Sequence, residues 1–244
     1  IPARSGSKRI KNKNIKKFYG KPIIKYSIET AIKSKLFDDI HVSTDSLKVI
    51  KIIKKYPINI NFLRPKKLSG DKTGLISVFK FIVKNFIKLG KKFDEVWFLT
   101  ACAPLIEKSD LISASKFVKK NKIKNLLAVA EYPHPIQRAF KLNKSKKLIP
   151  EKKNNLVVRT QDLGKRYHDT GTFGMLNFNS LINNKNLKFT GFLIPRSKGI
   201  DIDTTEDWKL AENLFKPKKK LSKLKFLPYL VNTYKARIQS RISN

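Results

Sequence analysis

The chain of 244 residues has one cysteine, one methionine and three histidines, and only 18 acidic residues against 54 lysines and arginines. A single thiol, Cys102, excludes an intrachain disulfide and any cysteine cluster for zinc, and it fits a reducing, cytoplasmic setting. His41, His134 and His168 are far apart in sequence and form no H-E-x-x-H or similar ligand pair, so nothing points to a zinc centre. No apolar run approaches the roughly 18 residues that a membrane-spanning helix needs. The longest plain one is the short LLAVA around Ala128. The chain opens on Ile1 rather than Met, so its first strand is expected to be cut short.

Positive charge is abundant, with a formal net charge of +36. Such a balance ordinarily points to nucleic acid or an anionic membrane. Here lysines run through almost every segment alongside Ile, Asn and Phe, a bias of the whole surface rather than one basic stripe, so no nucleic-acid partner is expected. A basic nucleic-acid or membrane-surface binding protein is the distant alternative. At 41% hydrophobic residues the chain can bury one substantial core with an elaboration.

The opening stretch, IPARSGSKRIKNKN, is the most informative. It sets Arg4, Ser5, Gly6, Ser7, Lys8, Arg9 and Lys13 in one loop behind an apolar start. Gly6 lets the backbone come close to a ligand, Ser5 and Ser7 leave N–H groups open, and Arg4 and Lys13 can place full charges against phosphate oxygens. Neither G-x-G-x-x-G nor G-x-x-x-x-G-K-[ST] is present.

Behind that loop, Pro22 suits a first helical position, with Ile24, Ile28, Ala31 or Ile32 and Leu36 at helical spacing. DDIHVSTD predicts a buried strand ending at Asp45. LKVIKIIKKY predicts a helix with Leu47, Ile50 and Ile52 or Ile53 inward, and INFLR a further strand. Residues 64–74 read as a functional polar loop, LISVFKFIVKNFIKLG as a core helix stopped by Gly90, and DEVWFLT as a strand inside a sheet. Ser109 and Asp110 suit the start of the next helix.

This alternation predicts an α/β fold built from βαβ units, a mostly parallel sheet with helices on both faces, and ligands at the carboxyl ends of the strands. From about residue 126 the pattern changes. LLAVAEY, RAFKL, NLVVR and TFGML read as shorter strands, a β-rich elaboration over 126–178. KFTGFLIP resumes a strand, and TTEDWKLAENLF is a helix opened by Thr204 or Thr205. Residues 216–244 form a basic tail in which YLVNTYKARIQSRI can make an amphipathic helix suited to an anionic membrane surface.

Asp201 and Asp203 alternate with isoleucines in GIDIDTTED, so in an extended segment both carboxylates face one side, about 7 Å apart. Two hard oxygen ligands near a phosphate loop suit magnesium.

Taken in order, IPARSGSKRIKNKNI, GKPIIKYSIETAIKSKLFDDIHVSTDS, LRPKKLSGDKTG, PHPIQRAFKL, RTQDLGKRYHDTGTFG and IDIDTTEDWKLAE resemble the CMP-sialic acid synthetase (acylneuraminate cytidylyltransferase) family. The pseudaminic acid branch is the most similar, and the resemblance covers residues 1–215. It implies a Rossmann-like fold of the nucleotide-diphospho-sugar transferase type, a homodimer formed through an exchanged arm, and transfer of CMP from CTP to a nine-carbon sugar acid with release of pyrophosphate. Carried over residue by residue, it implies that Arg4 and Lys13 hold the triphosphate, with Gly6 and Ser7 lining it. Asn14 and Arg64 contact the nucleoside, and the turn from Asp71 to Gly74, with Thr73, walls the base. Asp203, helped by Asp201, carries Mg2+, and Arg4, Lys13 and Asp203 serve catalysis. Gln137, Arg138, Arg159, Gln161 and His168 face the sugar. The turn FLTACAP departs from the LLQP-type residues of many sialic acid synthetases. It also lacks the aspartate of Kdo cytidylyltransferases, which disfavours Kdo; N-acetylneuraminic or legionaminic acid is the alternative substrate.

Overall fold

A computed structural model describes residues 1–58, 60–183 and 187–215. The expected basic tail, residues 216–244, lies outside them. Its strands in chain order are β1 (Lys17–Phe18), β2 (Lys21–Pro22), β3 (Glu95–Leu99), β4 (Asn125–Glu131), β5 (Phe140–Leu142), β6 (Leu148–Pro150), β7 (Tyr167–Asn177) and β8 (Thr190–Leu193). The helices are α1 (Ile24–Ser34), α2 (Leu47–Ile53), α3 (Leu75–Lys88), α4 (Lys108–Asn121), α5 (Phe178–Asn183) and α6 (Thr205–Phe215).

The main sheet has the order β3-β7-β4-β8 and is mixed: β8 runs parallel to β4, whereas β7 runs antiparallel to both its neighbours. Alternation along the strands assigns the two faces. Leu99, Leu126, Ala128, Phe173 and Met175 pack with Ala31 of α1 and Leu111, Ala114 and Val118 of α4. Phe98 and Leu176, one residue out of phase, pack with Phe79 and Val83 of α3 and Leu181 of α5. Helices therefore cover both faces. Gly174 is needed where they meet: a Cβ there would lie 2.6 Å from the Leu126 carbonyl and from the Phe98 ring, and that ring is already stacked on Phe79.

The chain start lies beside the segment ending at Asp45. Pro2 and Ser43 form a parallel bridge, Ala3 N donates to Ser43 O and Ser43 N to Ile1 O. Arg64 N in turn donates to Thr44 O, which sets the three chain segments side by side. These contacts bring the loop after Ala3, the turn after Thr44 and the loop after Arg64 to one edge, as a doubly wound fold requires.

Several local expectations are corrected. Pro22 pairs in the β1–β2 hairpin, and α1 begins two residues later. In α2 the Ser46 hydroxyl caps Val49 N, which sets the helix phase so that Val49 and Ile53 are buried and Leu47 is 74% exposed. INFLR forms no ladder among its described residues, because its backbone contributes only the Arg64 bond to this edge. NLVVR forms no strand; its first two residues, Asn155 and Leu156, close the 3-10 turn Lys153–Leu156. TFGML is part of the longer β7. α4 starts at Lys108, with Glu107 and Asp110 forming a reciprocal capping box. Thr204 caps α6, its hydroxyl accepting from Asp207 N. Trp208 of α6 meets Phe18 edge-on at 5.5 Å, so the last helix is docked on the first hairpin and the IDID segment before it is drawn against the opening loop.

Candidate active site

The loop of residues 4–13 carries five cations in ten residues, so its charges repel one another unless anions come close. The fold supplies two carboxylates from distant segments. Asp203 accepts from Lys13 Nζ at 2.9 Å and from Arg9 Nη2 at 2.5 Å. Asp71 accepts from Arg4 Nη1 and pairs with Lys8 Nζ, both at 2.6 Å. Lys13 Nζ also donates to Ile202 O at 2.6 Å, so the IDID segment is attached to the loop through one ammonium group.

Between these elements is a cleft of about 210 Å³, lined among others by Arg4, Ser7, Lys13, Asn14, Arg64, Asp201 and Asp203. Seven of the residues singled out from the sequence thus meet around one space. Thr100, Ala101 and Cys102, from the turn after β3, form part of its wall.

Two of the seven are held by bonds within the protein. Asn14 Nδ2 donates to Arg4 O at 2.9 Å, and its Oδ1 accepts from Cys102 Sγ at 3.3 Å, so its amide braces the loop from behind. Arg64 is 5% exposed, with Nε on Ser43 Oγ at 3.0 Å and Nη2 on Ser43 O at 2.6 Å. Its guanidinium ties the edge of the fold together and gives the cleft a fixed positive wall. Gly6 is exposed, and a Cβ there would meet Arg4 Nη1 at only 3.5 Å, so the protein's own packing makes no demand for glycine. Thr73 does not line the cleft; Leu75 does.

Asp201 and Asp203 differ in electrostatics. Burial, and then the charge of Asp203, push the Asp201 carboxyl above the usual range. Burial also opposes ionisation of Asp203, but the Lys13 ammonium and Arg9 outweigh it and hold its carboxyl below the usual range. The charge of Asp203 raises the cost of ionising Asp201, a cost that a cation beside the pair would relieve. Among the described residues no group of three or more His, Cys, Asp and Glu side chains could hold a metal ion. Two carboxylates alone do not complete a cage, so an ion held by them would take the rest of its shell from water or ligand oxygens. Gly171 makes room for the pair: its φ is +61°, and a Cβ would come within 2.6 Å of the Asp201 carboxyl carbon. Burial pushes the Cys102 thiol up to about 12, so it is a wall residue and no nucleophile.

The residues expected at the sugar lie outside the cleft lining. Gln137 Nε2 donates to Gly164 O at 2.6 Å, and Arg138 Nη2 to Leu156 O at 3.0 Å. Arg159 pairs with Asp162 at 2.9 Å, Gln161 is exposed, and His168 packs on Tyr132 with ring centroids 4.9 Å apart. They share the β-rich region, together with the β5–β6 hairpin, and the structure does not bring them to Asp203. Gly171 and Asp45, which accepts from Ser5 N and Oγ, were not singled out as site-shaping residues, and Asp71, expected in a turn walling the base, pairs with Arg4 and Lys8.

Comparison with known proteins gives the family. The sequence profile of the cytidylyltransferase family matches residues 1–231. A pseudaminic acid cytidylyltransferase of Campylobacter jejuni is 37% identical over 219 residues, covering 88% of this chain and 94% of that one. A CMP-N,N'-diacetyllegionaminic acid synthase of Legionella pneumophila is 28% identical over 88% of this chain and 94% of that one. Among solved structures, a CMP:2-keto-3-deoxy-manno-octonic acid synthetase complexed with CTP superimposes with a TM-score of 0.65 at 14% identity, over 87% of this chain and 95% of that one, which places the chain in the same Rossmann-like fold. From its ordered motifs, its fold and this match, the chain belongs to the cytidylyltransferase family of CTP-using nucleotidyltransferases.

Proposed function

We propose that the chain transfers CMP from CTP to the anomeric hydroxyl of a nine-carbon acidic sugar, pseudaminic acid in preference to N-acetylneuraminic or legionaminic acid, and releases pyrophosphate. The observation that carries this reading is the meeting of the basic loop with Asp201 and Asp203 in one cleft. The sugar follows from the 37% identity with a pseudaminic acid cytidylyltransferase.

In this reading Arg4 and Lys13 hold the triphosphate against Ser7 and the backbone around Gly6, and Arg64 and Asn14 fix the floor on which the nucleoside rests. The sugar hydroxyl oxygen bonds to the α-phosphorus as the bond to the bridging oxygen breaks. The hydroxyl proton passes to solvent water, and pyrophosphate departs with the developing negative charge. Lys13 and Arg4 are placed to stabilise that charge more in the transition state than in the ground state. Asp201 and Asp203 would hold Mg2+, which when bound neutralises phosphate charge. Because donor and acceptor are both anions, the surrounding excess of cations also lowers the cost of their approach.

The proposed enzyme is a homodimer. The β5–β6 hairpin exposes Phe140, Leu142 and Leu148 on one face, by the pairing of Leu142 with Leu148 and of Phe140 with Pro150, an apolar surface that a second copy of the chain would cover. In that assembly Gln137, Arg138, Arg159, Gln161 and His168 would face the sugar, with the planar fork of Arg159 suited to its carboxylate. Residues 126–178 would then act as the sugar-facing and dimerisation elaboration of a catalytic domain over 1–215. Sedimentation velocity should give a dimer that Leu142→Glu with Leu148→Glu dissociates; a monomeric parent protein would reject the assembly. Among the described residues no helix is long and apolar enough to cross a membrane.

The sugar is tested by pyrophosphate release from CTP and Mg2+ with a panel of nonulosonic acids. A pocket matched to one set of hydroxyl and amide groups leaves groups unpaired when stereocentres change, at about 1–3 kcal/mol each. Two mismatches predict a kcat/KM for pseudaminic acid roughly 30-fold or more above that for N-acetylneuraminic acid. Equal values would reject the sugar while leaving cytidylyl transfer intact.

A further inference from the structure

We infer that Asp71 is a positioning residue for nucleotide binding: it holds Arg4 in the orientation in which that side chain meets the triphosphate. This rests on the proposal that Arg4 is a triphosphate ligand. Arg4 and Asp71 are 67 residues apart in sequence and come from the two loops that flank the cleft. Arg4 Nη1 bonds Asp71 Oδ1 at 2.6 Å and reaches Ser69 O at 3.4 Å, so one edge of the guanidinium is attached to the far loop. A guanidinium has five N–H donors in a fixed fork, and this arrangement leaves those of Nη2 and Nε for the cleft that Arg4 lines. The other oxygen of Asp71 takes Lys8, the next cation along the same loop, at 2.6 Å. Hydrogen bonds from Lys8 and then Arg4 hold the Asp71 carboxyl below the usual range, so it is a carboxylate at neutral pH.

Asp71 is absent from the cleft lining and would not touch the nucleotide itself. Its pairs are solvent-exposed, and exposed ion pairs add little to folding stability. Their effect is local order. Five cations within ten residues repel one another, and a long arginine side chain without a partner samples many rotamers, a freedom that ligand binding must then remove. Asp203 restrains one half of the loop through Arg9 and Lys13, and Asp71 restrains the other half through Arg4 and Lys8.

The test compares Asp71→Asn, Asp71→Glu, Arg4→Ala and the Arg4→Ala/Asp71→Asn double variant of the full chain, reading KM for CTP, kcat and thermal midpoint. Asp71→Asn should raise KM for CTP by about five- to tenfold, with kcat within about twofold and the midpoint unmoved. Asp71→Glu should recover most of the loss, and Asp71→Asn should add less than about twofold in the Arg4→Ala background. An unchanged KM overturns the inference. So does a lowered one, which would mean that the carboxylate competes with phosphate, and so does an undiminished loss in the Arg4→Ala background. If Arg4→Ala itself leaves KM for CTP unchanged, the triphosphate role of Arg4 fails as well, which separates the two failures.

Discussion

Asp203→Asn is expected to reduce turnover by about a thousandfold or more, a loss of roughly 4 kcal/mol of transition-state stabilisation. The substitution keeps volume and removes charge. Asp203 is the group on which the cleft converges, bonded to Lys13 and Arg9 and one residue beyond the buried Ile202 that anchors the segment. With an amide there, the proposed metal loses an anionic ligand, and the two cations lose the partner that places them. Folding should change little, by about 1 kcal/mol, because both ion pairs are partly exposed. The backbone bonds that Asp207 accepts from residues 203 and 204 also survive the change. Steady-state pyrophosphate release alongside a thermal melt separates the effects. A folded variant with undiminished Mg2+-dependent turnover would sink the metal assignment.

Lys13→Ala should cost about a hundredfold in kcat/KM. Lys13 is the least exposed cation of the loop's ion pairs, with 19% of its side chain accessible, and its ammonium sits between the Ile202 carbonyl and the Asp203 carboxylate. Its loss deletes a charge-assisted phosphate contact and leaves Asp201 and Asp203 facing each other without it. Lys13→Arg should restore only part of the activity, since a planar fork cannot occupy the same slot as a point charge. Calorimetry with CTP and single-turnover kinetics should both report the loss; unchanged affinity together with an unchanged rate would refute the role.

The parts of this architecture that were readable in sequence are those carried by local pattern. Helix α3 shows its buried face in the spacing of Val78, Phe79 and Phe86, and its stop in Gly90, whose φ is +73°, although Leu75 at its start is exposed and Val83 is buried more fully than Ile82. The basic loop and the Asp201/Asp203 pair were visible because acids are scarce and cations are clustered. Long-range features were hidden. β7 looked shorter than it is because Tyr167, His168 and Asp169 are polar and Gly171 takes a left-handed conformation, yet all three pair with β4 past a register shift between Leu127 and Val129. Its antiparallel direction, which makes the sheet mixed, has no local signature. Leu47 illustrates a phase error: the cap at Ser46 turns it to solvent and Val49 inward. The pairings of Arg4 with Asp71 and Ser5 with Asp45 join residues 67 and 40 positions apart, and no periodicity encodes them. The same holds for Asn14 and Arg64, whose polar atoms the fold uses on Arg4 O, Cys102 and Ser43.

The central claim, that the basic loop and the IDID segment close on the triphosphate of CTP and its metal, is tested most directly by a crystal structure of the protein with CTP and Mn2+, read by anomalous scattering. The account predicts a manganese peak within about 2.0–2.3 Å of an Asp203 carboxylate oxygen, with Lys13 and Arg4 on phosphate oxygens. A nucleotide bound elsewhere, or a metal held only by phosphates with Asp203 still paired to Lys13 and Arg9, would contradict it.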